Sequence, residues 1–233
     1  MITLNKQTKI GLVAVVVILI FLIGLGYFGK SKSGSLGGNE LAGNDVLRIL
    51  TPGDRQKLEA EVASLEAQEN SLPADPQNRY DFYYRLAVRR YALGRDKDAM
   101  AALDKIVDEK GDYTYPDQVW YTYANIYNDS KDYDRAVVAM SKAVDIDGTN
   151  PQYWLTYIGI WGQKDPKKNL TDLYNEALTK TGNAIEVVRA YGRYLEYLGQ
   201  KDAAIVEWQK AGEVDPAGKA DYDAEIKKLQ TAQ

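Results

Sequence analysis

The sequence repeats itself with a period of 34 residues over much of its length. Trp120 and Trp154 are 34 residues apart, and Val188 follows Trp154 at the same distance. Three more series share this spacing: Ala136, Leu170 and Ala204; Met140, Tyr174 and Trp208; Ala143, Ala177 and Ala211. Such a period is typical of stacked helical hairpins, because each hairpin buries its apolar face only against its neighbours. The chain is therefore predicted to be all-α, with a solenoid of helical hairpins.

A fourth copy of the pattern precedes these three. Its members lie 37 residues before their counterparts and are Tyr83, Ala99, Leu103 and Ile106. The three additional residues coincide with the stretch DYTYPD (112–117), where Pro116 interrupts a helix. The sequence thus predicts four repeats, at 80–113, 117–150, 151–184 and 185–218. A charged helix at 219–233 is predicted to cap the last one, since the end of a solenoid needs a polar outer face.

Two segments resemble the tetratricopeptide repeat (TPR) family. The first is WYTYANIYNDSKDYDRAVVAMSKAVDID (120–147), and the second is YLEYLGQKDAAIVEWQKAGEVDP (194–216). Both place aromatic residues and alanines where the family has them. The resemblance implies a TPR-like helical-hairpin solenoid and a role in binding other proteins. The third repeat departs from the pattern with Asp165, Pro166 and Leu170 at its turn, so its hairpin is expected to be splayed.

The resemblance also implies where a partner binds. In TPR folds the first helix of each hairpin lines the concave face of the solenoid. Aligning the repeats assigns eight residues to this face: Tyr84, Tyr91, Tyr121, Asn125, Asn128, Gln152, Arg189 and Arg193. Tyrosine offers a ring and a hydroxyl group, asparagine bonds a peptide backbone, and arginine pairs with acidic groups. We expect this face to bind a protein or peptide.

The N-terminal part of the chain is predicted to anchor it in a membrane. After a tail at 1–9, residues 10–28 contain no charged side chain, and a helix of this length spans about 28 Å. A cleaved signal peptide is the alternative, but its apolar core is usually 7–15 residues long. The short tail before a long domain favours a signal-anchor. We expect a single-pass protein of the plasma (inner) membrane, with the domain on the extracytoplasmic side.

A tether and an entry helix are predicted to follow the transmembrane anchor. Residues 29–44 are rich in glycine and serine, which is typical of a flexible linker. Residues 45–79 are predicted to contain an amphipathic helix that starts at Thr51–Pro52, since threonine caps a helix and proline suits its first position. Leu58, Val62 and Leu65 form one apolar stripe along it.

Composition and motifs give no support to an enzyme. The chain has no histidine and no cysteine, which excludes imidazole bases, Cys/His zinc sites and disulfides. The motif GLGYFG (24–29) has the glycine spacing of a dinucleotide site, but a Gly/Ser-rich linker follows it instead of a helix. The net charge of −4 argues against binding nucleic acid. We therefore predict no catalytic residue, no cofactor and no metal.

The sequence predicts a membrane-anchored TPR scaffold or adaptor that binds proteins or peptides at the cell envelope. An assembly factor or a chaperone-like accessory would fit this description. The alternative is a self-associating structural subunit of a membrane or envelope complex. The sequence leaves the oligomeric state open.

Overall fold

The computed structural model describes residues 50–72, 75–108 and 116–231, which form an all-helical solenoid. Helix α1 (Pro52–Gln68) and a 3-10 turn (Glu69–Ser71) come first. Four hairpins follow: α2 (Pro76–Ala92) with α3 (Asp96–Asp108), α4 (Asp117–Asp129) with α5 (Tyr133–Ile146), α6 (Pro151–Lys164) with α7 (Thr171–Lys180), and α8 (Ile185–Tyr197) with α9 (Lys201–Val214). A second 3-10 turn (Pro216–Gly218) leads into α10 (Lys219–Thr231). The prediction of an all-α, TPR-like solenoid is confirmed.

The predicted tail (1–9), transmembrane anchor (10–28) and linker (29–44) lie outside the described residues. Within the ranges that are described, no helix is both long and apolar enough to cross a bilayer.

Local capping explains where several helices begin. The Oγ1 atom of Thr51 accepts a hydrogen bond from the Asp54 N–H, and Asp75 accepts one from the Asn78 N–H in the same way. Asn150 caps α6 by accepting from the Gln152 N–H. Each of these three helices also has proline at its start, where the missing N–H costs nothing.

Three of the four hairpins turn with the same backbone pattern. At the end of α2 the Gly94 N–H donates to the Tyr91 carbonyl, and the next N–H donates to the Arg90 carbonyl. Gly94 and Gly199 have φ of 76° and 72°, a left-handed conformation that glycine adopts without strain. Lys131 occupies the same place after α4 with φ of 61°.

The third hairpin differs from the others, as its sequence predicts. Helix α7 is only 10 residues long, and it packs on α6 less extensively than the paired helices of the other hairpins pack on each other. Leu170 stands where the other repeats have alanine, and it is buried. Leu170 packs beside Gly162 of α6, where a Cβ atom would lie at an ordinary contact distance of 3.6 Å from the Leu170 Cδ1 atom.

The core runs continuously along the solenoid. The repeat alanines Ala99, Ala136 and Ala204 are all fully buried, which lets the two helices of a hairpin approach closely. Large side chains such as Trp154 and Met140 fill the space around them. Because each hairpin packs on the next, the first helices of successive hairpins come to lie along one face.

Candidate functional site

The first helices of the hairpins, α2, α4, α6 and α8, are joined by contacts between neighbours. Tyr91 of α2 donates a hydrogen bond from its hydroxyl to Asp129 of α4, at 2.7 Å. The rings of Tyr121 in α4 and Tyr153 in α6 have centroids 4.8 Å apart. Helices α6 and α8 also pack on each other. These contacts join the first helices of neighbouring hairpins, the helices that carry the predicted binding residues.

Two of the eight predicted residues belong to the core. Tyr91 is 7% exposed and Tyr121 is 1% exposed, so neither ring is offered to a ligand in this structure. The cause is the packing between hairpins: Tyr121 lies against Tyr153 of the next hairpin, and Tyr91 reaches across to Asp129. The structure thus corrects their assignment from surface residues to residues that join neighbouring hairpins.

The other six predicted residues are partly exposed, and they define the groove as used below. They are Tyr84, Asn125, Asn128, Gln152, Arg189 and Arg193. Within the part of the chain that the structure describes, the Asn128 Oδ1 atom is buried and has no hydrogen-bond donor. An unsatisfied buried acceptor costs stability, and this atom is not exposed to a ligand in the structure.

The arginine end of the groove lies beside the C-terminal helix. The Arg189 guanidinium lies 5.9 Å from the centre of the Tyr222 ring in α10. Burial lowers the pKa of Arg193, and the adjacent Arg189 lowers it further, whereas Glu225 and Glu196 act in the opposite direction. An arginine keeps its charge under such changes, so this end of the groove contains two positive charges with the carboxylates of Glu196 and Glu225 near them.

The opposite end of the groove contains the predicted Tyr84 together with Tyr80, Asp117 and Tyr153, which the sequence did not predict as site residues. Tyr80 and Tyr84 of α2 have stacked rings with centroids 5.9 Å apart. Asp117, the first residue of α4, accepts a hydrogen bond from the hydroxyl of Tyr153 in α6. A sequence signal was available, because Tyr80 and Asp117 occupy equivalent positions in the first and second repeats, 37 residues apart.

Burial and the nearby carboxylate change the acidity of these tyrosines. Burial raises the pKa of Tyr84 to about 12, and Asp117 adds to the rise. Burial is also the main cause that raises the pKa of Tyr80 and of Tyr153. All three phenols therefore stay protonated at neutral pH and can donate hydrogen bonds. Among the described residues, no group of carboxylates is arranged to hold a metal ion.

Comparison with known proteins supports the repeat and the fold. The tetratricopeptide repeat model matches residues 117–150, the span of α4 and α5 and the turn that follows them. A crystal structure of MamA superposes with a TM-score of 0.54 at 18% identity, covering 76% of this chain and 99% of MamA. A second MamA structure gives 0.53 at 19% identity, covering 73% and 91% of the two chains. No curated protein sequence matches this chain. Residues 117–150 thus match the tetratricopeptide repeat family, and they lie within a chain that has the TPR-like solenoid fold.

Proposed function

We propose that this protein is a membrane-anchored TPR scaffold or adaptor that binds a protein or peptide segment in the groove. It acts at the cell envelope, as an assembly factor or a chaperone-like accessory. The proposal contains no catalytic step and no cofactor. Its partner is an extended segment that exchanges hydrogen bonds with the amide side chains of the groove.

One observation carries the proposal: partly exposed hydrogen-bonding side chains line a surface built from the first helices. Asn125 and Asn128 lie on α4, and Gln152 lies on the adjacent α6. Amide side chains carry both donors and acceptors, so they can bond the backbone of an extended peptide whatever its sequence.

The place of action rests on the N-terminal sequence. Residues 10–28 are uncharged, and lysines at 6, 9, 30 and 32 flank them on both sides. This is the pattern of a membrane-spanning helix with cationic ends. The glycine- and serine-rich segment 29–44 gives the solenoid reach from the bilayer. We propose a single-pass protein of the plasma membrane with its solenoid on the extracytoplasmic side.

The proposal is tested with the full-length protein crosslinked to its partners in cells and purified for mass spectrometry. The test variant combines Asn125→Ala with Arg193→Ala. The control combines Asp145→Ala on α5 with Gln209→Ala on α9, two exposed positions on second helices of hairpins. We expect the groove variant to recover at least about tenfold less of a crosslinked partner that the control recovers at the wild-type level. Equal recovery by both variants would contradict the groove assignment.

A further inference from the structure

Four side chains from three helices meet at the junction of α2, α4 and α6. They are Tyr80, Tyr84, Asp117 and Tyr153, and we call them the tyrosine–aspartate cluster. The rings of Tyr80 and Tyr84 are parallel within 5°. The Tyr153 hydroxyl donates to an Asp117 carboxylate oxygen. Burial, and to a lesser extent Asp117, raises the pKa of all three tyrosines.

The charge of the cluster comes from the Asp117 carboxylate, which has no cationic partner at ion-pair distance within the described residues. Asp81 and Asp147 also lie close enough to affect Tyr80 and Tyr153, respectively. Asp117 lies in the first turn of α4, where the helix dipole favours a carboxylate.

The cluster is accessible from the groove. Tyr80, Tyr84 and Asp117 are partly exposed, whereas Tyr153 is buried beneath them and holds the carboxylate in place. Tyr84 itself lines the groove. A cation placed against a tyrosine ring is attracted by its π electrons, and a neighbouring carboxylate strengthens that attraction. An aromatic surface with an uncompensated carboxylate therefore favours a cation over an anion or a neutral apolar group.

We propose that the tyrosine–aspartate cluster binds the side chain of a lysine or arginine in the partner segment. This inference rests on the proposed function, because it specifies the chemistry of the ligand in the same groove. Charge complementarity selects the ligand: the cluster is anionic, and the far end of the groove carries Arg189 and Arg193. The two ends of the groove thus carry different charges. A bound segment lies with the basic residue of the segment toward the first hairpins.

The two ends of the groove set a spacing for such a segment. Helices α4 and α8 are two repeats apart, which corresponds to roughly 20 Å at the usual distance between packed helices. An extended chain covers about 3.3 Å per residue, so about six residues separate the basic side chain from the opposite end. A segment with a basic and an acidic residue at this separation would engage both.

The test uses the full-length protein in lipid nanodiscs and a synthetic decapeptide library. One central position holds lysine, arginine, norleucine or glutamate, and the others are drawn from alanine, serine, asparagine and tyrosine. Norleucine is the key comparison, because it has nearly the length of lysine without its charge. We expect the wild-type protein to retain lysine peptides over norleucine peptides by roughly fivefold to tenfold.

Two variants and one control locate the effect. Asp117→Asn should bring the lysine-to-norleucine ratio close to one while norleucine peptides still bind. Tyr80→Leu removes a ring but leaves the Tyr153–Asp117 hydrogen bond, and it should lower the ratio about twofold to threefold. Asp145→Asn, at an exposed position of α5, should leave the ratio unchanged.

The outcomes separate this inference from the proposed function. If norleucine peptides bind but lysine brings no gain, or if Asp117→Asn keeps the gain, the cation site is refuted and the groove stands. If no peptide of any charge is retained, both the groove and the cation site are refuted.

Discussion

The two ends of the solenoid are covered by single helices that are held in different ways. At the N-terminal end, ion pairs with the first hairpin add to the burial of Val62 and Leu65 in holding α1. At the C-terminal end, a stacked pair of aromatic rings adds to the burial of Leu229 in holding α10. Salt screens the first kind of contact, whereas it leaves the second intact. Both helices cover an end of the solenoid, but salt should weaken the attachment of α1 more than that of α10.

Helix α1 buries only two side chains, Val62 and Leu65. Its glutamates supply the rest of the attachment. Glu61 pairs with Arg89 at 2.8 Å, and Glu66 pairs with Arg90 at 2.9 Å. Glu66 also pairs with Arg95 at 3.1 Å, and Glu69 pairs with Lys105. The sequence shows these acidic residues, but only the angle between α1 and α2 determines which cation each one meets.

Helix α10 attaches through Tyr222, which is 5% exposed. Its ring stacks on Trp208 of α9 with centroids 6.0 Å apart, and its hydroxyl donates to Asp215 at 2.7 Å. Gly218 lies directly beside this ring, since a Cβ atom there would be 2.8 Å from the Tyr222 hydroxyl oxygen. The close fit makes this end depend on shape more than on charge.

The largest effect is expected from removing the aromatic contact. Tyr222→Ala deletes a buried ring, which costs about 3–5 kcal/mol, and should release α10. Hydrogen exchange of the full-length protein should show the α10 amides exchanging much faster, with α4 unchanged. Tyr197→Ala is the matched control, because Tyr197 is 44% exposed and its loss should cost less than about 0.5 kcal/mol. Equal effects of the two variants would show that α10 is not held by this ring.

A smaller and salt-dependent effect is expected at the other end. Glu66→Gln removes the partner of Arg90 and Arg95, and it should destabilise the docking of α1 by about 1 kcal/mol at low salt. The difference from the wild type should shrink in 1 M NaCl, where charges are screened beyond about 3 Å. Hydrogen exchange of the α1 amides measures it. Glu59→Gln serves as the control, because Glu59 is exposed and has no ion pair among the described residues. A Glu66→Gln effect independent of salt would contradict the comparison between the ends.

The smallest effect concerns a charge near the aromatic end that destabilises the fold. Burial raises the pKa of Glu207 in α9, and the Lys210 ammonium, 3.8 Å from its Oε2 atom, offsets only part of this rise. The folded protein therefore holds the proton to a higher pH than the unfolded chain does. Stability falls as the pH rises from about 4.5 through the pKa of the folded state.

Glu207→Gln should therefore stabilise the protein by a few tenths of a kcal/mol at pH 7, a modest gain because solvent screens part of the cost. The gain should vanish below about pH 4, where Glu207 is protonated in both states. Denaturant unfolding of the full-length protein at the two pH values measures it. Glu213→Gln, on the exposed side of the same helix, should show no such change. A gain that is constant with pH would mean that the charge is not its cause.

The repeat period was sufficient to predict the hairpins, because alanines and aromatics at fixed spacing must face the same neighbours. It did not predict that Tyr121 is buried, since this depends on how far each hairpin rotates relative to the next. The period did not predict the tyrosine–aspartate cluster either, because its members come from three helices and meet only through the way the hairpins pack.

The most direct test of the central claim maps the contact surface of the bound partner. A photo-crosslinking amino acid replaces Asn125 in one version of the full-length protein and Gln209 in another, and each is irradiated in cells. We predict that one partner protein is crosslinked at position 125 and is not crosslinked at position 209. Adding a lysine decapeptide that binds the groove should reduce the amount of this crosslinked partner. Crosslinking of the same partner at both positions, or only at Gln209, would contradict the claim that the first helices form the binding surface.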